Sequence, residues 1–130
     1  MPEVLGTTLV LEVKVADKVY LLKNIDFWKD TLKDIITMLG MTYIDSCGFQ
    51  FKVKDSNEDG GVSVVAILLE SHLSVHTWPE YEYFHMVLDC CKEDIDYMKL
   101  YNHLEKLFGG ITYKANRIRW SNDLRMGTHN

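Results

Sequence analysis

Residues 70–83 read ESHLSVHTWPEYEY and follow directly on an aliphatic run, Val62 to Leu69. The segment holds two histidines, two serines, a Trp-Pro pair and several carboxylates. A purely structural hairpin wants Gly, Asn or Asp at its turn, and none stands at Glu70-Ser71-His72. A hydroxyl close to imidazoles suits nucleophilic or general acid/base chemistry. The residues alone also allow a plainer account. Ser71 then ends a strand, His72 points to water and His76 is a hydrogen-bonded packing residue.

The rest of the composition narrows the classes. Fourteen Lys and Arg against nineteen Asp and Glu give a net charge of −5, the wrong sign for a protein that lives on phosphate contacts, so no nucleic-acid partner is expected. The basic group Lys114, Arg117, Arg119 and Arg125 reads as a solvated face. No apolar run reaches the ~20 residues of a membrane span. The start, MPEVLGTTLVLEVKV, lacks the order of a signal peptide. The cysteines are Cys47, Cys90 and Cys91, with no CxxC pair. That argues against a disulfide framework or a metal site and for a reducing cytoplasm.

The elements that must position the segment can be read from periodicity. Thr8 to Val15 alternates as a half-buried strand. Asn24 caps a helix carrying Ile25, Trp28, Leu32, Ile35, Ile36 and Leu39, which Gly40 stops. Met41 to Val53 reads as a strand bulged at Gly48, and Lys54 to Gly61 as a polar loop. Val62 to Leu69 reads as a strand covered on both faces, or nearly so. A break at Glu70-Ser71-His72 precedes short strands Leu73 to Thr77 and Tyr83 to Cys90. Ile95, Met98, Tyr101, Leu104, Leu107 and Phe108 mark a second helix, with Glu93 and Asp94 in its first turn and Gly109-Gly110 at its end. Ile111, Tyr113 and Ile118 mark a last strand, with a frayed tail after Trp120. The order β-α-β-β-β-β-α-β predicts one domain over residues 1–130. Its fold class is α+β, a two-layer sandwich of a mostly antiparallel sheet on two helices.

Gly61-Val62-Ser63, the aliphatic strand and ESHLSVHTWPEY, with Cys91 beyond, together resemble the signature of the prokaryotic S-adenosylmethionine decarboxylase proenzymes, a pyruvoyl-dependent family. Weaker similarity runs through Gly6, both helices and the acidic start of the second helix. The resemblance implies self-cleavage between Glu70 and Ser71 into a β chain, residues 1–70, and an α chain, residues 71–130. Ser71 Oγ attacks the Glu70 carbonyl carbon, helped by a strained turn. Ser63 stabilises the oxyanion, and His76 removes the Cα proton of the esterified serine. Elimination and loss of ammonia leave a pyruvoyl cofactor, a ketone able to form a Schiff base with a substrate amine. Cys91 matches the family's general acid, whereas Cys90 alternates to the other face. Glu80 matches an acid that contacts the substrate ribose. His72 fits the pattern without a role. Trp78 and Tyr81 pack the loop, and His85, His103 and His129 are ordinary residues outside the motif.

The implied activity is decarboxylation of S-adenosylmethionine to the aminopropyl donor for spermidine in the polyamine pathway, by a dimer of processed αβ units. The sequence departs from the family at Lys54 to Gly60, where a proline and an adenine-stacking aromatic are missing. Only a different course of that loop would let Phe49 or Phe51 take over. Val87 and Lys92 stand where the family has Asp and Gly. The same chemistry on L-arginine or L-ornithine is therefore a second reading, with Asp55, Glu58 and Asp59 facing a cationic side chain. A non-catalytic regulatory homologue is a third.

Overall fold

The computed structural model describes residues 3–124. Its strands are β1 Val4–Val15, β2 Tyr43–Lys52, β3 Asp59–Leu68, β4 Ser71–Trp78, β5 Tyr83–Cys90 and β6 Ile111–Ser121. The helices are α1 Ile25–Met38 and α2 Tyr97–Phe108, and 3₁₀ turns span Val19–Lys23 and Pro79–Tyr81. The strands form one sheet in the order β2-β3-β4-β5-β1-β6, with every neighbouring pair antiparallel. This is the expected α+β sandwich in the expected element order.

Alternation sends one set of side chains from each strand toward the helices. Leu9, Leu11 and Val13 of β1, Val62, Val64 and Ala66 of β3, Leu73 of β4 and Phe84 and Met86 of β5 are fully buried there. The α1 stripe Trp28, Leu32, Ile35 and Ile36 covers them. Trp28 sits at the centre, its ring 4.9 Å from that of Phe84 and 5.9 Å from that of Phe108 on α2. The Asn24 side chain caps α1 by accepting from the Phe27 amide at 2.9 Å.

Four sequence expectations need correction. Helix α2 begins at Tyr97, because Asp96 rather than Glu93 or Asp94 is its N-cap. Asp94 instead pairs with Lys92 at 3.1 Å. The register of β2 shifts between Tyr43 and Asp45 and between Gln50 and Lys52, not at Gly48. Gly48 is there for space, since a Cβ would lie 3.0 Å from Val64 Cγ2 and 3.1 Å from Ile25 Cδ1. The break at Glu70-Ser71-His72 shrinks to a turn over Leu69 and Glu70, and β4 already starts at Ser71. Strand β3 is covered on one face only. The helices form a single layer, so Val65 and Ile67 stay exposed on the other. Phe49 and Phe51 of β2 share the apolar character of this open face.

Candidate active site

Two clusters of the singled-out residues occupy opposite ends of β4. The first surrounds the Glu70–Ser71 bond. Leu68 of β3 pairs with Ser71 of β4, so only Leu69 and Glu70 connect the strands. Two-residue hairpins favour positive φ within the turn. Here neither Leu69 nor Glu70 has it, and the positive φ falls on Ser71 at 156°, a region that favours glycine. The turn is clamped to the start of β2. The Leu69 amide donates to the Thr42 carbonyl at 3.0 Å, and the Thr42 amide donates to Glu70 Oε1 at 3.0 Å.

The carbonyl of Glu70 accepts a hydrogen bond from the Cys91 amide at 3.2 Å. Cys91 itself is exposed, one residue past the end of β5. Cys90 is buried opposite Ser71 in the register, with its sulfur 3.4 Å from Met41 Sδ. Burial pushes the Cys90 thiol above its usual range, so it stays protonated in the core. The alternation that separates the adjacent cysteines is therefore realised. Ser71 Oγ lies 3.2 Å from His72 Nδ1.

The second cluster surrounds His76. Ser63 pairs with His76 across β3 and β4. The His76 ring lies 4.2 Å from Trp78, 5.4 Å from Phe51 and 6.0 Å from His85, measured between centroids. Burial first, and the neighbouring His85 second, hold the His76 imidazole below its ordinary range. It is thus neutral near pH 7 and able to accept a proton.

A cavity of about 600 Å³ opens beside it, lined among others by Phe51, Lys52, Lys54, His76, Trp78 and Glu80. Gly61 makes this corner possible, because a Cβ there would stand 2.2 Å from the Thr77 carbonyl oxygen. The Thr77 hydroxyl accepts from the Val62 amide at 2.8 Å and donates to the Leu22 carbonyl at 2.7 Å, which locks the 3₁₀ turn Val19–Lys23 against the cavity floor.

Phe51 of β2 and Trp78 of β4 place their rings in the cavity lining, Trp78 because its side chain leaves β4 on the same open face as His76. Tyr81 is exposed. The loop carboxylates do not face this space. Asp59 is drawn to Lys52 at 2.5 Å and Glu58 to Lys23 at 3.7 Å, and none of Asp55, Glu58 and Asp59 lines the cavity. Glu80 is the carboxylate in the lining, held by the turn that Pro79 opens.

His85, read from the sequence as an ordinary residue outside the motif, stands beside His76. Its signal is pairwise: the β4–β5 register sets His85 directly opposite His76, which neither strand reveals alone. His103 lies on α2 and not on the strands that carry the clusters. His129 and Arg125 fall outside the described residues. Lys114, Arg117 and Arg119 are exposed along the edge strand β6.

The clusters are separate. Ser63 and His76 lie five residue pairs from Ser71, or roughly 16 Å at a strand rise of about 3.3 Å per residue. The structure brings Ser71, Glu70 and Cys91 together, and Ser63, His76 and Glu80 together, but does not join the two sets within one chain.

Residues 7–120 match the S-adenosylmethionine decarboxylase family. The chain belongs to this family. It is 37% identical over 114 residues to the S-adenosylmethionine decarboxylase proenzyme of Thermotoga petrophila, covering 88% of this chain and 78% of that one. It is 32% identical over 104 residues to the arginine decarboxylase proenzyme of Hyperthermus butylicus, covering 76% of this chain and 70% of that one. The adenosylmethionine decarboxylase structure from Aquifex aeolicus superposes with a TM-score of 0.69 at 19% identity, over 88% of this chain and 90% of that one. This likeness speaks to the fold. Family membership and fold thus agree with each other and with the α+β sandwich.

Proposed function

We propose that this chain is a self-processing, pyruvoyl-dependent carboxy-lyase that decarboxylates S-adenosylmethionine in the cytoplasm, giving the aminopropyl donor for spermidine. The observation that carries the substrate reading is the lining of the 600 Å³ cavity, where Phe51 and Trp78 offer ring faces for a nucleobase and Glu80 offers acceptors for ribose hydroxyls. Base stacking on an aromatic ring contributes roughly 1–3 kcal/mol.

Processing uses residues at both ends of β4. Ser71 Oγ attacks the Glu70 carbonyl carbon and closes an ester as the peptide nitrogen leaves. The Cys91 amide, already on the Glu70 oxygen, and the Ser63 hydroxyl stabilise the developing oxyanion. Neutral His76 takes the Ser71 Cα proton, the Glu70 carboxylate departs, and water then displaces ammonia. Ser71, at the start of a strand and behind an exposed turn, fits conversion to a pyruvoyl group. That group supplies the electron sink for loss of CO₂. Cys91 hands a proton to the substrate carbon.

Because Ser63 and His76 are about 16 Å from Ser71 along the strands, the reading requires a second copy of the chain. Two chains meeting through their open faces in opposite directions set Ser71 and Cys91 of one against Ser63 and His76 of the other. The apolar Phe49, Val65 and Ile67 on that face support such a contact.

Intact mass measurement and CO₂ release from labelled substrates test the reading together. Chains of residues 1–70 and 71–130, with turnover of S-adenosylmethionine, are expected. Mixing tests the shared site: co-expressed Ser71→Ala and His76→Ala chains regain one complete site per mixed dimer, and the His76→Ala chain is then cleaved.

A second reading, decarboxylation of L-arginine or L-ornithine by the same machinery, is favoured by the similarity to the Hyperthermus butylicus protein. Turnover of a basic amino acid alone selects it. A single uncleaved species selects a regulatory homologue instead.

A further inference from the structure

Ser71 begins a row of polar side chains, joined by hydrogen bonds and one ion-pair contact, that crosses four adjacent strands, β4, β5, β1 and β6. Its Oγ lies 3.2 Å from His72 Nδ1. The other imidazole nitrogen, Nε2, is 3.8 Å from Asp89 Oδ2 on β5. The Thr8 hydroxyl of β1 donates to Asp89 Oδ1. The Trp120 indole of β6 donates to the Thr8 hydroxyl at 3.0 Å. The register sets this row up, because His72 pairs with Asp89 and Asp89 pairs with Thr8. A nucleophile, a base within its reach and a third group that orients the base make the arrangement of an activated hydroxyl.

We infer that His72 is the general base for cleavage of the Glu70–Ser71 bond, with Asp89 as its positioning residue and Thr8 and Trp120 fixing Asp89. The inference rests on the self-processing reading and names the group that starts it. His72 Nδ1 takes the Ser71 Oγ proton as Oγ bonds to the Glu70 carbonyl carbon. The bond from that carbon to the Ser71 nitrogen then breaks, and the protonated imidazole returns its proton to the leaving nitrogen. The products are an ester and a free amine, with no outside reactant. Asp89 holds the ring with Nδ1 toward Ser71 and stabilises the imidazolium between the two transfers. His76 is too far along β4 for this step and acts on the Cα proton afterwards, so the two histidines divide the reaction in time.

The side chains explain why this role belongs to His72. Asp89 keeps only 28% of its side-chain surface exposed, so its charge is fixed beside the base instead of dispersed in solvent. The attacked carbonyl already accepts the Cys91 amide, so nucleophile, base and oxyanion donor meet on one peptide bond.

The experiment follows full-length chains made by cell-free translation, quenched at intervals and weighed intact. His72→Ala is expected to slow chain cleavage by about 10²–10⁴-fold, the usual contribution of a general base. Added imidazole is expected to restore part of that rate. Asp89→Asn is expected to slow cleavage less, and Asp89→Glu to recover part of the loss, which a merely structural carboxylate would not produce. His72→Gln covers an alanine chain that does not fold: a folded, uncleaved glutamine chain supports the inference, and cleavage at the wild-type rate overturns it. Folded His72→Ala chains that cleave normally, or slowly without response to imidazole, also overturn it. A wild-type chain that stays whole overturns the self-processing reading and this inference with it, whereas normal cleavage of wild type and His72→Ala alike overturns this inference alone.

Discussion

The two ends of β4 differ in what they offer. At the Ser71 end the groups are polar and linked by hydrogen bonds and one ion-pair contact, from the Glu70 carbonyl and the Cys91 amide to the row reaching Trp120. At the His76 end the groups are rings packed 4.2–6.0 Å apart around a cavity, with hydrogen bonds mainly in the floor beneath. In the proposed reading, one end makes and breaks a bond at a fixed carbonyl, and the other holds a planar ligand beside a neutral base. Within one chain the Ser71 end lacks the Ser63–His76 pair, and the aromatic end lacks Ser71 and Cys91. The proposed antiparallel encounter of two chains would supply each end with what it lacks.

The largest effect expected is at the polar end. Ser71→Ala removes the attacking oxygen and the atom from which the ketone is made. The chain should remain a single species by intact mass and show no CO₂ release. Efficient cleavage in this variant would show that the bond broken is a different one.

The next effect separates the ends by step. His76→Ala should stall after the acyl shift and accumulate an ester that hydroxylamine cleaves. Cys91→Ala should still process while losing roughly 10²–10⁴-fold in turnover, the usual contribution of a general acid. The comparison breaks if both variants stop at the same step, because the groups would then belong to one function rather than two.

The sequence made the two ends unequally legible. Alternation and capping identified every strand and helix, since Leu9, Leu11 and Val13 or Trp28, Leu32 and Ile35 repeat at periods that local geometry imposes. The start of α2 was misplaced because Glu93, Asp94 and Asp96 are all acceptable to a helix N-terminus, and only Asp96 lies where its carboxylate can accept from the Lys99 amide. Strand β3 read as doubly covered because an apolar run does not say whether its second face meets a helix or another copy. Ser71, Glu70 and Cys91 stand out in the sequence through the family motif, and the structure sets them side by side. The row through Asp89, Thr8 and Trp120 does not stand out in the sequence, because it depends on register between strands far apart in the chain. The same holds for Phe51, which reaches the cavity only through the β2–β3 pairing, and for His85.

Phe51 gives a smaller effect that sharpens the aromatic half of the comparison. Phe51→Ala should leave chain cleavage intact, because the ring is remote from Ser71 on the same chain and contacts His76 only at 5.4 Å. It should weaken protection of the processed enzyme from reductive trapping by S-adenosylmethionine roughly 5- to 150-fold, the worth of about 1–3 kcal/mol of stacking. Protection by arginine should not change. Equal loss for both ligands would mean that Phe51 shapes the cavity without stacking on a base.

The smallest effect tests the electrostatics around His76. Its imidazole is held low by burial and, secondarily, by His85. A depressed value keeps the base neutral to lower pH, so the elimination step should persist below the pH at which an ordinary histidine protonates and fail as pH falls through the lowered value. His85→Gln removes the second cause and leaves the first. The acid limb of ester breakdown in this variant should therefore move up, with the plateau rate near that of wild type. The ester accumulating in quenched samples across a pH series gives the limb directly. A limb that does not move would assign the depression to burial alone, and a limb that moves down would mean that His85 supports the charged form of His76 rather than opposing it.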